Sequence, residues 1–506
     1  MRHSLLARLH GVTDAAGPPP EQERVRRAKA DRLRDEGIDP YPVSFARTAT
    51  AVELRDRFAD LPPDTATGER VGVAGRLVLS RESGKLCFAV LRDGTGDLQV
   101  MLSLERTGEA ALAAWKRDVD LGDHVGIAGE VITSRRGELS VLADRFAITA
   151  KALRPLPEKF HGLADPEARV RQRYLDLIVN PDARQMLRTR AAVIASVRRT
   201  LTGRGFVEVE TPALQLVHGG AAARPFTTHL NAFDRNVHLR IALELHLKRL
   251  VVGGMERVFE IGRIFRNEGI DASHSPEFTM LEAYEAYGDY NSMAELTRAI
   301  VVEAALAIGS TVVPDGAGGE IDLGAPWEQR TVHELVAAAL GEPIDVDTPR
   351  STLRAHAAAR EVALDPGWDS GHIVLELFEK LVEHTLRTPT FVRDYPVEVR
   401  PLARPHRSDP RLAEAWDLVI AGRELAPAYS ELTDPVEQRR RLVEQSRRAA
   451  GGDPEAMELD EDFLRALEYG MPPTGGLGLG IDRLVMLLTG ASSIRETIAF
   501  PFVRPE

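Results

Sequence analysis

A chain of 506 residues with 43% hydrophobic content has room for two or three domains with sizeable cores. Its one cysteine, Cys87, excludes an intrachain disulfide and a cysteine-built zinc cluster, and is expected to be a small buried hydrophobe. A net charge of -12 excludes a globally basic nucleic-acid-binding surface, so any RNA contact must be local.

Residues 1–22 are rich in Pro, Ala and Gly and are expected to be disordered; MRHSLLARLHGV lacks the apolar stretch of a signal peptide. The helix that follows ends at Gly37. Arg24, Arg26, Arg27, Lys29, Arg32 and Arg34 crowd it and could meet phosphates, but Asp31, Asp35 and Glu36 dilute them, which favours an ordinary solvated face. From Val71 to about Ile148, five alternating runs (VGVAGRLVL, LCFAVLRD, DLQVML, HVGIAGEVI, LSVLADRFAI) separated by glycine-containing turns predict a small Greek-key barrel. Helix and barrel make a first domain over 23–155, and PLPEKFHG predicts a linker over 156–164.

Residues 165–506 make the larger domain. A helix from about Asp182 puts Leu187, Ala191, Ile194, Val197 and Leu201 on one stripe before the strand FVEVE. Residues 257–290, RVFEIGRIFRNEGIDASHSPEFTMLEAYEAYGDY, predict a β-hairpin in which Glu282 and Tyr284 share a face with Phe278 and Met280. A guanidinium such as that of Arg266 suits a phosphate, an aromatic ring a base, and a carboxylate an ammonium group. On its own, an amphipathic hairpin with its charges in water is the ordinary explanation. The longest apolar run, AIVVEAALAIGSTVV from Ala299, contains Glu303 and is too short to cross a bilayer. Helical segments between about 330 and 390 look like an insertion. Near the C-terminus, GGLGLGIDRLVMLLTGASSIRETIAFPFVRP leads a glycine-rich approach into an apolar helix with Arg483 near its start, where close backbone approach and a helix start suit an anion. SGKL at 83–86 lacks the P-loop spacing, GLGLGID lacks that of a dinucleotide fold, and neither HExxH nor GxSxG occurs.

Together the hairpin and the glycine-rich segment resemble motifs two and three of class II aminoacyl-tRNA synthetases, and FRNEGIDASHSPEFTMLEAYEAYGDYN is similar to lysyl-tRNA synthetases. The likeness runs through FVEVETPAL, similar to motif one with Pro212, then HGGAAARPF, ELHLKRLVVGG and ELAPAYSELTDP, from about residue 24 to the end. The stretch TDPVEQRRRLVEQSRRAAGGDPEAMELDEDF is also similar to the synthetase half of actinobacterial two-part proteins that transfer lysine to lipid.

The resemblance implies an α+β protein: an oligonucleotide-binding-fold (OB-fold) barrel that reads the anticodon, and a class II catalytic domain with an antiparallel sheet flanked by helices. It implies a cytoplasmic homodimer, paired through the helix from Asp182 and FVEVE, that joins L-lysine to ATP and passes the lysyl group to tRNA(Lys). That chemistry needs neutralised phosphate charge and alignment rather than a protein nucleophile. By resemblance Arg266 takes the α-phosphate, Phe278 and Arg483 sandwich adenine, Glu268 fixes a base edge and His274 meets the outer phosphates. Arg266 and Arg483 are thus the catalytic cations. Asp417 and Glu424 would hold Mg2+ beside ATP; Gly220 and Glu244 the α-amino group; Glu431, Tyr284 and Glu282 the ε end, with Tyr429 along the aliphatic stem. In the barrel, Phe88 would stack on an anticodon base while Gln99 and Glu138 meet uracil edges. Each of these residues alone is more ordinarily structural or solvated; the shared motif context raises them.

The chain also departs from that family. Asp417 stands for a usual glutamate, Pro427 for an asparagine on the substrate carboxylate, Arg400 for a serine, Leu243 for a proline and His246 for a tyrosine. Arg400 could replace the lost carboxylate partner. The rivals are an aspartate or asparagine ligase, which would want a cation against the side chain; a paralogue with altered substrate or an auxiliary copy feeding a lipid transferase; and a non-catalytic synthetase-like binding protein.

Overall fold

The computed structural model describes residues 20–157, 163–450 and 457–504. Residues 1–19 of the segment expected to be disordered and 158–162 of the linker lie outside these. The chain divides into two compact units, 1–162 and 163–506.

Residues 21 and 22, expected to be disordered, are helical instead: α1 (Glu21–Asp35) starts directly after Pro20, whose ring sets φ at -50°, and Glu21 and Glu23 suit the positive end of the helix dipole. Its basic run is not a simple solvated face. Arg26 is buried and donates to the carbonyls of Leu121 and Ala152 at 2.9 and 3.0 Å, while Lys29 and Arg32 pair with Asp120 and Asp118. Strands β1 (Ala66–Ser83), β2 (Leu86–Arg92), β3 (Asp97–Ser103), β4 (His124–Thr133) and β5 (Leu139–Ala150) close into a barrel in the order β1-β2-β3-β5-β4. Alternation puts Cys87, Ala89, Leu98, Val100, Ile127 and Val141 inside. Burial pushes the Cys87 thiol up, as suits an inert core position.

The larger unit is built on an eight-stranded sheet. It comprises β6 (Val207–Glu208), β7 (Arg257–Phe265), β8 (Glu277–Ala286), β9 (Glu328–Thr331), β10 (Thr390–Pro396), β11 (Leu412–Ile420), β12 (Arg423–Ser430) and β13 (Thr474–Gly480). The order is β9-β10-β11-β12-β13-β8-β7-β6, antiparallel except for the two outermost pairs. Helices α2 (Pro181–Thr202) and α4 (Tyr290–Ala307) cover one face; α3 (Glu244–Val252) lies beside β8. Inward residues Leu281, Ala283, Leu477 and Leu479 meet Val193, Val197, Leu201, Ile300 and Val301 in a single core, and the Trp416 indole donates to the Tyr290 carbonyl at 2.6 Å. Between β9 and β10, α5 (Val332–Leu340), α6 (Arg350–Ala359) and α7 (Ser370–Leu381) gather around Phe378, Val392 and Tyr395.

The stripe expected on α2 is one step off. Its buried residues are Ala183, Val193, Ser196, Val197, Thr200 and Leu201, while Ala191 is exposed and Leu187 and Ile194 are half-buried. Small polar Ser196 and Thr200 are admitted to the core because their hydroxyls donate to the Glu303 carbonyl and carboxylate. Of the expected stripe, Val197 and Leu201 are buried, Ile194 packs against the same core, and Ala191 is left at the surface.

Candidate active site

The open side of the sheet holds a cavity of about 460 Å³. Its wall is the outward face of β8: Phe278, Met280, Glu282 and Tyr284 alternate with the core residues Leu281 and Ala283, so the hairpin's period-2 pattern delivers both faces at once. Opposite stand Asp417, Glu424, Pro427 and Tyr429 from β11 and β12, with the glycines of β13 as the floor. A Cβ on Gly476 would overlap a Glu431 oxygen and lie 2.6 Å from a Tyr284 ring carbon, so only glycine leaves that floor open. Pro427 is tolerated in a central strand because the β12–β13 ladder spans only Ala428–Ser430; its missing N–H falls where the strands part to form the cavity.

One end of the cavity is cationic. Arg266 follows β7, donates through Nε to the Ile241 carbonyl at 3.3 Å, and stands over the Phe278 ring at 5.3 Å. Burial pulls its pKa down, with Glu268 and Glu424 opposing. Arg483, on the first turn of α8 (Ile481–Thr489), donates to the Glu424 carbonyl at 2.9 Å and reaches His274 Nε2 at 3.5 Å. The neighbouring Asp482, missed in the sequence reading, anchors this helix: it accepts from Thr279 N at 2.6 Å and pairs with Arg190 of α2.

The other end is acidic and buried. Glu282 accepts from Leu243 N at 2.8 Å and from the Tyr284 hydroxyl at 3.0 Å. Leu243 stands where the resemblance expects proline, and a proline has no N–H to make that bond. Burial raises the Glu282 carboxyl to about 7, the nearby Glu244 charge adding to it. Gly220, at φ +87°, brings its backbone so close that an added Cβ would lie 3.1 Å from Glu244 Cβ. Lys248, also missed, is fully buried with Nζ 2.5 Å from Glu244 Oε1 and 2.5 Å from Glu431 Oε2. Burial pushes the Glu431 carboxyl up to about 8, with the Lys248 ammonium opposing it. The Glu244 to Lys248 spacing of four on a helix reads in sequence as an unremarkable surface pair; only the fold shows that its outward side is a pocket.

Gly220, Glu244, Arg266, Glu268, His274, Phe278, Glu282, Tyr284, Asp417, Glu424, Tyr429 and Arg483 all line this one cavity. Glu431 does not. It is 2% exposed, with Oε1 against the same side of Gly476 as the Tyr284 ring, at the buried end of the cavity. Asp417 pairs with Arg400, whose guanidinium lies 4.1 Å from the Tyr395 ring centroid; Asp417 Oδ1 is buried without a hydrogen-bond partner, and burial raises this carboxyl to about 6. Arg400 lines the same cavity, paired with Asp417 through one nitrogen and with its Nε buried without a hydrogen-bond partner. In the barrel unit, Phe88 and Gln99 lie half-buried on the outer face of β2 and β3, and Gln99 Nε2 donates to Ser140 Oγ at 2.8 Å. Glu138 is exposed at the start of β5, its carboxylate 3.4 Å from Arg55.

Residues 165–504 match the model for class II tRNA synthetases (D, K and N), and residues 71–149 match the OB-fold nucleic acid binding domain. The chain is 56% identical to a lysine--tRNA ligase of Mycolicibacterium gilvum, over 97% of this chain and 98% of the relative. It is 56% identical to one of Kineococcus radiotolerans, over 96% and 97%. It is also 53% identical to the lysylphosphatidylglycerol biosynthesis bifunctional protein LysX of Nocardia farcinica, over 98% of this chain but 43% of that protein. A buried acidic end, two arginines at the other end of the same cavity and near full-length identity to these ligases coincide in one chain, which belongs to the class II tRNA synthetases of the D, K and N group and, within them, to the lysine--tRNA ligase family.

Proposed function

We propose that the protein activates L-lysine with ATP to lysyl-adenylate and transfers the lysyl group to tRNA(Lys). The observation that carries this reading is the cluster of three buried carboxyls, Glu244, Glu282 and Glu431, served by a single resident ammonium, Lys248. Lysine brings two ammonium groups, and their charges balance the surplus; an aspartate or asparagine side chain would leave buried carboxylates uncompensated, at a cost of several kcal/mol. Discrimination of roughly ten-thousand-fold can follow without editing.

At the other end Arg266 would draw charge from the α-phosphate as the lysine carboxylate attacks, and Arg483 with Phe278 would hold adenine. Glu268 would meet the base edge and His274 the outer phosphates. Mg2+ suits this end: Glu424 lines the cavity and Asp417 Oδ1 is buried and unpaired, two hard oxygens on adjacent strands. Among the described residues no cluster of three or more His, Cys, Asp or Glu could hold a metal, so ATP oxygens would complete the shell. When bound, the ion offsets phosphate charge. The outer barrel face at Phe88, Gln99 and Glu138 would take the anticodon, stacking contributing about 1 to 3 kcal/mol per base.

Exposed Val207, Leu214, Leu216 and Phe233 support a homodimer. A cytoplasmic setting follows from the tRNA substrate. No helix among the described residues is long and apolar enough to cross a membrane. ATP–pyrophosphate exchange with each amino acid in turn, followed by charging of tRNA(Lys), tests the reading; exchange driven by another amino acid in preference to lysine overturns it.

A further inference from the structure

Glu431 has two oxygens in different circumstances. Oε2 lies 2.5 Å from Lys248 Nζ, an ion pair within a fully buried site. Neither oxygen has a hydrogen-bond partner, so the ion pair alone sets Oε2 apart; Oε1 is directed at the gap left by Gly476, on the cavity side. Lys248 itself does not line the cavity; it approaches from α3, behind the carboxylates, with its other contact on Glu244 Oε1. The Tyr284 ring, 6.0 Å from Lys248 Nζ, closes the remaining side.

We propose that Lys248 is a specificity-determining positioning residue: by holding Glu431 Oε2 it leaves a single acceptor oxygen toward the substrate, which fits one ammonium group and denies a guanidinium the pair of oxygens it needs. This rests on the lysine reading above. An ammonium is a point-like donor and needs one oxygen, whereas a guanidinium reaches full strength only as a two-pronged fork on both oxygens of a carboxylate. Arginine is close to lysine in length and charge, so a lone carboxylate at the pocket end would select poorly between them. A half-occupied one selects by geometry. Lys248 has a second effect, because its charge favours the ionised form of Glu431. The groups around that carboxyl are Glu244 and Lys248 from α3 and Glu282 and Tyr284 from β8; only Lys248 is cationic, so its removal raises the Glu431 carboxyl further.

The test is ATP–pyrophosphate exchange by the full chain with L-lysine and L-arginine, from pH 6.5 to 9.5, for the wild type, Lys248→Met, Glu431→Gln and the double variant, with folding checked by thermal melting. Wild type is expected to use lysine and reject arginine. In Lys248→Met the lysine KM should rise about tenfold with kcat changed less than about threefold, and the pH at which KM levels off should move up by about one unit. Arginine should become a substrate or a competitive inhibitor. In the Glu431→Gln background, adding Lys248→Met should no longer change arginine rejection, since the carboxylate it shares is gone; a KM change that persists there reports its other contact, on Glu244. If Lys248→Met does not fold, Lys248→Gln is read in the same cycle. A folded Lys248 variant that keeps the wild-type lysine KM and still excludes arginine overturns the proposal while leaving the lysine reading intact; a wild type with no lysine-dependent exchange sinks both.

Discussion

Replacing Gly476 by alanine should close the lysine end of the cavity while leaving the nucleotide end untouched. The added methyl would overlap Glu431 Oε1 and approach the Tyr284 ring at 2.6 and 2.8 Å, well inside the ordinary carbon contact of about 3.5 Å or more. Both neighbours are immobile: Glu431 is paired to Lys248, and the Tyr284 hydroxyl is tied to Glu282 at 3.0 Å. Relief requires breaking one of those contacts. Overpacking of this kind costs about 1 to 3 kcal/mol, and the displaced hydrogen bond or ion pair adds about 1 to 3 kcal/mol more. We expect an unfolding free energy lower by about 2 to 4 kcal/mol in urea titration, and a lysine KM at least about tenfold higher in pyrophosphate exchange, which corresponds to about 1.4 kcal/mol. Binding of a nonhydrolysable ATP analogue by calorimetry should stay within about twofold, because Arg266 and Arg483 are not touched. A folded Gly476→Ala protein with unchanged lysine KM would refute the idea that the ε-ammonium passes over this glycine.

Arg400→Ser should remove the cation that shares Asp417: the metal-free protein should lose about 3 kcal/mol by leaving a buried carboxylate unpaired, and added Mg2+ should restore melting temperature in the variant but not in wild type. Half-maximal exchange should then need about tenfold less Mg2+, since a positive charge near the ion is gone. Lysine affinity measured by calorimetry should improve as pH rises through about 7 to 8 and then level off, because Glu282 and Glu431 hold protons below those values and must release them to meet an ammonium. The sign for folding is opposite: carboxyls raised above their ordinary 4.5 bind protons more tightly when folded, so their contribution to unliganded stability declines from about pH 4.5 to about 8, and lysine should reverse that decline. Phe88→Ala should slow tRNA(Lys) charging by about tenfold or more, the equivalent of one lost base stack, and spare pyrophosphate exchange; equal loss in both assays would contradict a role for the barrel in tRNA reading.

The hairpin was legible because a period of two states which side chains share a face, whatever the rest of the chain does. The barrel was legible for the same reason, repeated five times. The glycine-rich approach to the last long helix turned out to be the strand β13, which glycines without side chains do not announce. What escaped was set by packing between distant segments. Lys248 looks solvated in ELHLK until β13 and Glu431 are laid beside α3. Arg400, 17 residues from Asp417, gave no sign of the pair it makes. On α2 local periodicity cannot state that Ser196 and Thr200 will be buried and Ala191 left at the surface. Glu431 follows Tyr429 by two and keeps its side of the strand, yet Lys248 and the Tyr284 ring enclose it, so it lies buried at the end of the opening rather than exposed along it.

The sheet order carries a consequence for synthesis of the chain. β13, the last strand to be made, is inserted between β8 and β12, which precede it by roughly 190 and 45 residues. Until Thr474–Gly480 leaves the ribosome, the two halves of the sheet have no shared neighbour and the substrate chamber has no base. During that interval the facing edges of β8 and β12 stand unpaired, an opening that a chaperone or a misplaced strand would find first.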